Sequence, residues 1–331
     1  MKATLTAILL SAISVVGLAQ KQNTYYLKND GSYVTTRDSA DFVRIVQEPD
    51  AGSDLYNVFD LYKDGSKKLI GKSSTVKPVV FEGQVARFYP NGKKAAVANY
   101  HNNQLSGLYY QYFTNGKIYA VLQFREQAGS GTGSYFITTV LDSLGNQLVK
   151  EGNGHFKGHD FSDDSAIEEG DVKDGMRDGD WKGTVASLNI EFKEHYDQGK
   201  LIYGISTDKA GKEYRYTERY SRPFYKDGNK ALFTFLENQM NFFAKDEIVN
   251  VKGTPIFSFF VEGKGKLSHI TISNIAVAVS NPAVETMEDY LLKAAAASAK
   301  GWLPATSFGV PHRQFISFPY SIRTADNIIF Y

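Results

Sequence analysis

The residue types that do chemistry are sparse in this chain, and their spacing assembles no reactive centre. The richest local set is His155-Phe156-Lys157-Gly158-His159-Asp160, followed by Asp163 and Asp164. Two imidazoles and three carboxylates are zinc-ligand types. Gly158, however, argues against a helix that would present both histidines on one face, and no third nitrogen ligand is near. Acidic residues continue from Asp160 to Asp180 without the spaced oxygens and terminal bidentate Glu of a calcium loop, so a solvated charged face is expected there. Gly129-Ser130-Gly131-Thr132-Gly133-Ser134 has the glycine density of a phosphate-cradling loop. It lacks the Lys-Ser/Thr ending and the strand-to-helix context that phosphate binding needs, and reads as a flexible linker. No Ser-His-Asp set and no paired carboxylates stand out. The expectation is a non-enzymatic protein with no resident metal or cofactor.

What positions residues in such a chain must come from the pattern of its elements and from its compartment. Residues 1–19 form a block of their own: Lys2, an apolar run from Leu5 to Val16 broken only by Thr6, Ser11 and Ser14, then Gly17-Leu18-Ala19. This is the pattern of a secretory signal peptide cut after Ala19, and the rival reading is an uncleaved membrane anchor. Removing Lys2 from the 37 basic residues makes them equal in number to the 36 acidic ones. A neutral mature chain has no global field to gather nucleic acid or anionic lipid, so neither is expected as a partner, and membrane contact is expected only if the N-terminal segment stays uncleaved. There is no cysteine, so an exported form must be held by burial and hydrogen bonding alone. A periplasmic location is expected, with secretion or an inner-membrane anchor as alternatives.

From residue 25 onward the pattern is that of short strands. Phe42–Val46 and Tyr56–Tyr62 are rich in β-branched and aromatic residues, bounded by turn signals at Pro49–Gly52 and Asp64-Gly65. Phe88-Tyr89-Pro90-Asn91-Gly92-Lys93 then recurs 24 residues later as Tyr112-Phe113-Thr114-Asn115-Gly116-Lys117, and Gly83 and Gly107 share that offset. Val172–Trp181 and Tyr196–Leu201 return to the same vocabulary. Asn-Gly and Asp-Gly supply positive φ for two-residue hairpin turns, and a single hairpin cannot bury its apolar face, so successive hairpins must extend one another. Packing between neighbouring hairpins accounts for most of the repeat aromatics. The units resemble MORN-type repeats of the bacterial variant, with Gly107-Leu108-Tyr109 and Gly179-Asp180-Trp181 as their Gly-x-aromatic steps. The resemblance covers roughly residues 55–125 and 165–220. Arg215–Arg222 reads as a linker, and the expected divisions are a signal peptide at 1–19, an all-β repeat region at 20–222 and a C-terminal unit at 223–331.

The C-terminal unit changes period. Leu232, Leu236, Met240 and Phe243 fall on one helical face within 229–243. Pro255–Val261 and Leu267–Ile275 alternate as strands about a glycine turn. Asn281-Pro282 opens a helix that runs toward Ala299, and Phe315–Tyr320 is a last strand. The order helix, strand, strand, helix, strand predicts a small α/β sandwich-type unit, and an α+β fold for the whole chain. Together with Trp302, Pro304, Ala305, Gly309 and Val310, the segment over about 225–323 resembles the C-terminal domain of TonB. The counterparts are Phe257–Gly265, Leu267–Asn274, Pro282–Ala299, the Trp302 to Ala305 step, Gly309-Val310 and Phe315–Tyr320. Trp302 itself reads as core closing a helix over the sheet.

The resemblance implies a unit that grips an extended segment of an envelope protein, such as an outer-membrane transporter, by adding it as a strand. The edge it implies is Gln314, Phe315, Ile316, Ser317, Phe318 and Tyr320, and the tail Ile328–Tyr331 could pair with that edge and block it. The chain departs from the family in two ways. Its 9 prolines are scattered and form no long extended spacer, and the Tyr-Pro step after the first helix is missing, with Asn241–Ala244 in its place. Two further readings stand beside the interaction protein: an energy transducer, which needs residues 1–19 retained as an anchor, and an envelope enzyme with a site in the repeat region.

Overall fold

Local turn chemistry sets the architecture. A computed structural model describes residues 22–125, 135–163, 165–240, 254–274 and 292–320. Residues 1–19, expected to be a signal peptide, the Gly129–Ser134 run, most of the second expected helix and the tail from Ser321 lie outside the described residues. Contacts divide the chain into two units, residues 1–155 with 172–176, and residues 156–171 with 177–331. Among the described residues no helix is long and apolar enough to cross a membrane.

The first unit is an antiparallel meander. Its strands are β1 (Gln22–Leu27), β2 (Tyr33–Val34), β3 (Phe42–Gln47), β4 (Tyr56–Tyr62), β5 (Lys67–Ser73), β6 (Phe81–Phe88), β7 (Lys94–His101), β8 (Gln104–Tyr112), β9 (Ile118–Phe124), β10 (Tyr135–Leu141) and β11 (Gln147–Lys150). β1 pairs with β3, and from β3 to β11 each strand pairs with the next. Val46, Val58, Leu69, Phe81 and Val85 form one buried cluster. Within this face Asp60 is buried and receives two hydrogen bonds from Arg44, at 2.7 and 2.8 Å.

The Asn-Gly turns differ from the two-residue form expected of them. Gly65, Gly92 and Gly116 have φ near +85°, while the preceding Asp64, Asn91 and Asn115 are not left-handed. In each, the glycine N–H donates to the residue three before it, and a register shift follows in the flanking strand. This is a type I turn closed by a left-handed glycine and a bulge, a longer loop that only the glycine's lack of a Cβ permits. The expected two-residue form is met at Asp174-Gly175, and the same form, with both residues at positive φ, occurs at Asn102-Asn103, Glu151-Gly152 and Gln198-Gly199.

The longer turns explain the repeated aromatic-x-Asn/Asp-Gly wording of Tyr62–Gly65, Tyr89–Gly92 and Phe113–Gly116. Each reaches forward to the next hairpin: Tyr62 Oη donates to the Phe88 carbonyl and Tyr89 Oη to that of Tyr112. Asn91 and Lys93 donate to the Thr114 and Asn115 carbonyls, and Lys117 donates to that of Leu144. The repeat is thus a ladder of side chains satisfying turn carbonyls that a lone hairpin would leave to water.

The second unit holds the later hairpins and the C-terminal segment. After β12 (Asn153–His159) come β13 (Ala166–Lys173), β14 (Met176–Val185), β15 (Ile190–Asp197), β16 (Lys200–Asp208) and β17 (Glu213–Tyr216). From β14 to β17 each strand pairs antiparallel with the next. Large rings here lie on glycines. A Cβ added to Gly170 would stand 2.4 Å from the Trp181 ring, and one on Gly204 would stand 2.3 Å from that of Tyr216.

The stretch expected to be a linker is paired strand instead. β18 (Tyr220–Ser221) and β19 (Phe224–Tyr225) precede helix α1 (Gly228–Met240), β20 (Ile256–Val261) and β21 (Leu267–Ser273). Then follow β22 (Trp302–Leu303), β23 (Ala305–Ser307), β24 (Val310–His312) and β25 (Gln314–Pro319). β18 pairs with β23 and β19 with β22, so the chain leaving the hairpins is zipped to the chain around Trp302. Phe308, at the turn between β23 and β24, is fully buried against Ala166, Val185, Phe192 and Tyr216. Its carbonyl accepts a 2.7 Å hydrogen bond from buried Ser206.

Candidate functional site

The C-terminal sheet is three strands wide, in the order β21-β20-β25. Alternation on β20 puts Phe257, Phe259 and Val261 into the core, beneath Leu232 and Leu236 of α1 and beside Trp302. Trp302 is 6% exposed and donates from Nε1 to Ser298 Oγ at 3.1 Å, which satisfies its one polar atom inside the cluster. Its role is core. Ala305 is fully buried, Pro304 is half-buried and Gly309 takes φ +76° in the Phe308 turn. These signature residues therefore build the unit and the turn that seats it.

The expected edge strand is at an edge. β25 pairs with β20 over six residues, from Ile256↔Pro319 to Val261↔Gln314, without a register shift. Among the described residues nothing pairs with its other side. Pro319 fits that place, since a proline has no N–H to give to a second neighbour. β21 at the opposite edge is less regular. Its ladder slips between Ser258 and Phe260, where His269 adopts φ +52°. A bulge twists an edge away from a flat partner, so β25 is the better template for an incoming strand.

Side chains along β25 alternate. Ile316 and Phe318 pack toward the core, while Phe315 on the opposite face is 52% exposed. The Phe315 ring meets Phe260 edge-on at 5.3 Å, and the Arg313 guanidinium sits 3.7 Å from the Phe260 centroid while its Nε bonds Glu262 at 3.1 Å. On the core side, Phe233 of α1 stands 38% exposed beside Phe318 and Tyr320, with centroids 6.2 and 6.1 Å away.

A second cluster was not anticipated by the sequence. Asp160, Glu168 and Glu194 are each about 2% exposed, and two arginines bind them together. Arg219 donates to Asp160 at 2.8 Å, Glu168 at 2.6 Å and Glu194 at 2.9 Å. Arg177 donates to Asp160 at 2.7 Å and to Glu168. Tyr196 and Tyr216 complete Glu194, at 3.1 and 2.9 Å. Burial pushes the Asp160 carboxyl up, but Arg177 and Arg219 outweigh it and bring it down to about 2. Burial opposes the charge on Arg219, yet Glu168 and Glu194 hold its guanidinium charged well above the ordinary arginine range. Burial, first of all, raises both tyrosines.

These contacts correct one expectation. The acidic stretch from Asp160 to Asp180 is not simply a solvated face, because Asp160 and Glu168 point inward to arginines. Asp171, Asp174 and Asp180 follow the expected surface pattern, and half-buried Glu169 bonds Lys157 and Lys182 at 2.8 Å each. Asp160 also accepts from the Ser162 and Asp163 amides, so its oxygens are engaged. Among the described residues no three His, Cys, Asp or Glu side chains are placed to hold a metal ion. The available sign was on β15, where Glu194 shares the core face with Phe192 and Tyr196. A carboxylate in an apolar period-2 row demands a buried cation, though the row does not name it.

The cluster is largely closed to solvent and its carboxylates are engaged by its own arginines and tyrosines, so its chemistry is that of positioning. Arg219 carries it to the C-terminal turn: its carbonyl accepts from the Phe308 amide at 2.5 Å and its guanidinium lies 5.1 Å from the Phe308 ring centroid. Among the described residues, β25 is the regular sheet edge with unspent backbone bonding capacity, and β21 the bulged one. Against models of known protein families the chain matches none, and no curated protein matches it.

Proposed function

We propose that this chain is an exported, non-enzymatic interaction protein whose C-terminal unit, a small α/β fold of the TonB C-terminal type, binds an envelope protein by adding an extended segment of it to β25. The observation that carries this reading is the regular six-residue ladder of β25 on β20, with its outer side unpaired among the described residues. An open antiparallel edge offers backbone N–H and C=O groups that an incoming strand satisfies without side-chain specificity. The signal-like residues 1–19 support an envelope location. MORN-like hairpins then serve as the stiff carrier of the binding unit, and an outer-membrane transporter is the kind of partner the resemblance suggests.

A photo-crosslinking amino acid placed at Ser317 of the full chain in cells tests this. Ser317 lies on the exposed face of β25, and the same probe at Ser258 on the central strand serves as control. A discrete adduct with an envelope protein from Ser317 and none from Ser258 is expected. Absence of any adduct at Ser317 in a chain that folds normally overturns the reading.

A further inference from the structure

The edge of β25 that is unpaired among the described residues carries an aromatic ring on each face of its sheet. Phe315 projects from the outer face at 52% exposure, backed by Phe260. Phe233 stands on α1 at 38% exposure, beside Phe318 and Tyr320 on the inner face. A strand added to this edge sends alternate side chains to the two faces. Its inward residues then meet the Phe233–Phe318 seam, and its outward residue opposite Phe315 meets that ring. These cross-strand and diagonal contacts lie within reach of aromatic side chains.

Charge narrows the occupant further. No residue from Gln314 to Pro319 is charged, and Arg313 beside them is paired with Glu262. A charged side chain laid along this edge gives up hydration and finds no counter-charge on β25 itself. We infer that the segment captured at β25 is an uncharged extended peptide. It carries apolar side chains on the alternate positions that face Phe233 and Phe318, and an aliphatic or aromatic residue opposite Phe315. This rests on the strand-addition reading and adds to it a sequence preference set by two named rings.

The test uses the full chain and three synthetic strand-length peptides. The first has Val and Phe at alternate positions with Ser and Thr between. The second keeps that composition with the apolar residues at helical spacing. The third has Lys and Glu at the alternate positions. Binding is measured by titration, and amide hydrogen exchange reports protection over residues 314–319. The alternating apolar peptide is expected to bind best, to protect those amides, and to lose about tenfold in affinity with Phe233→Ala or Phe315→Ala. N-methylation of one alternate set of its peptide nitrogens is expected to abolish binding while the other set is tolerated. Both variants should keep a cooperative melting transition at a modestly lowered temperature, since each ring is packed on one side and exposed on the other. If all three peptides protect 314–319 equally, strand addition stands and the aromatic preference is overturned. If none protects 314–319, both the preference and the strand-addition reading fall.

Discussion

Arg219 is where most of the buried polar chemistry converges, since it bonds three carboxylates at once and also touches Phe308. Truncating it strands buried negative charge, a loss of about 3–5 kcal/mol. Arg219→Ala is therefore expected to lower the urea midpoint sharply, with an unchanged denaturant slope if the native state stays compact. The sign of the pH dependence follows from Asp160. Its carboxyl is held at about 2 in the folded chain against 3.8 ordinarily, so protonation favours the unfolded state. The stability this contributes, roughly 2 kcal/mol by linkage, is fully present above about pH 4 and is lost as pH falls toward 2. Equilibrium unfolding of Asp160→Asn between pH 5 and 2 should show a shallower acid decline than the parent. An equal slope in both removes Asp160 from the account.

At the scale of elements, glycines and rings set how closely neighbouring strands approach. Gly204 sits beneath Tyr216, and a Cβ there would lie 2.3 Å from that ring. Gly204→Ala must displace the ring or the strand, and a cost of about 1–3 kcal/mol is expected, read as a lowered melting temperature. The turn ladder makes a gentler prediction. Lys93 donates to the Asn115 carbonyl at an exposed turn, so Lys93→Met should cost under about 1 kcal/mol. Replacing Gly92, at φ +80°, by Ala should cost more than Lys93→Met, because the strained backbone has no alternative conformation in the bulge. The turn glycines were legible in the sequence because turn chemistry is local. Which of them close two-residue turns was not, since the preceding residue's φ depends on the bulge the neighbouring strand imposes.

Across the second unit, the C-terminal segment keeps a core of its own around Trp302 and sends Phe308 into that of the later hairpins. Phe308 is buried among Phe192, Tyr216 and Val185, and β18 and β19 are zipped to β23 and β22. A fragment beginning at residue 223 loses β18 and the whole Phe308 seat. That fragment is expected to lack a cooperative thermal transition, whereas Phe308→Ala in the full chain should shift the transition of β15–β17 and of the β20–β25 sheet together. Amide exchange resolved by segment separates these outcomes, and independent shifts of the two would show that they unfold separately.

The sequence by itself determined the hairpin vocabulary, the helical period around Leu232 and Leu236, and the strand at Gln314–Pro319, because each rests on contacts within a few residues. Trp302 was readable as core for the same reason, a large ring following a helix onto a sheet. Only the tertiary structure decided that Asp160 pairs with Arg219, 59 residues away, and that Ser206 holds Phe308 across 102 residues. A charged residue's pattern states that it needs a partner and is silent on which one, since that choice depends on the register of strands far apart in the chain. The same holds for β25. Its alternation could be read directly, but its place at a regular edge, opposite a bulged one, follows from the order in which three distant segments pair.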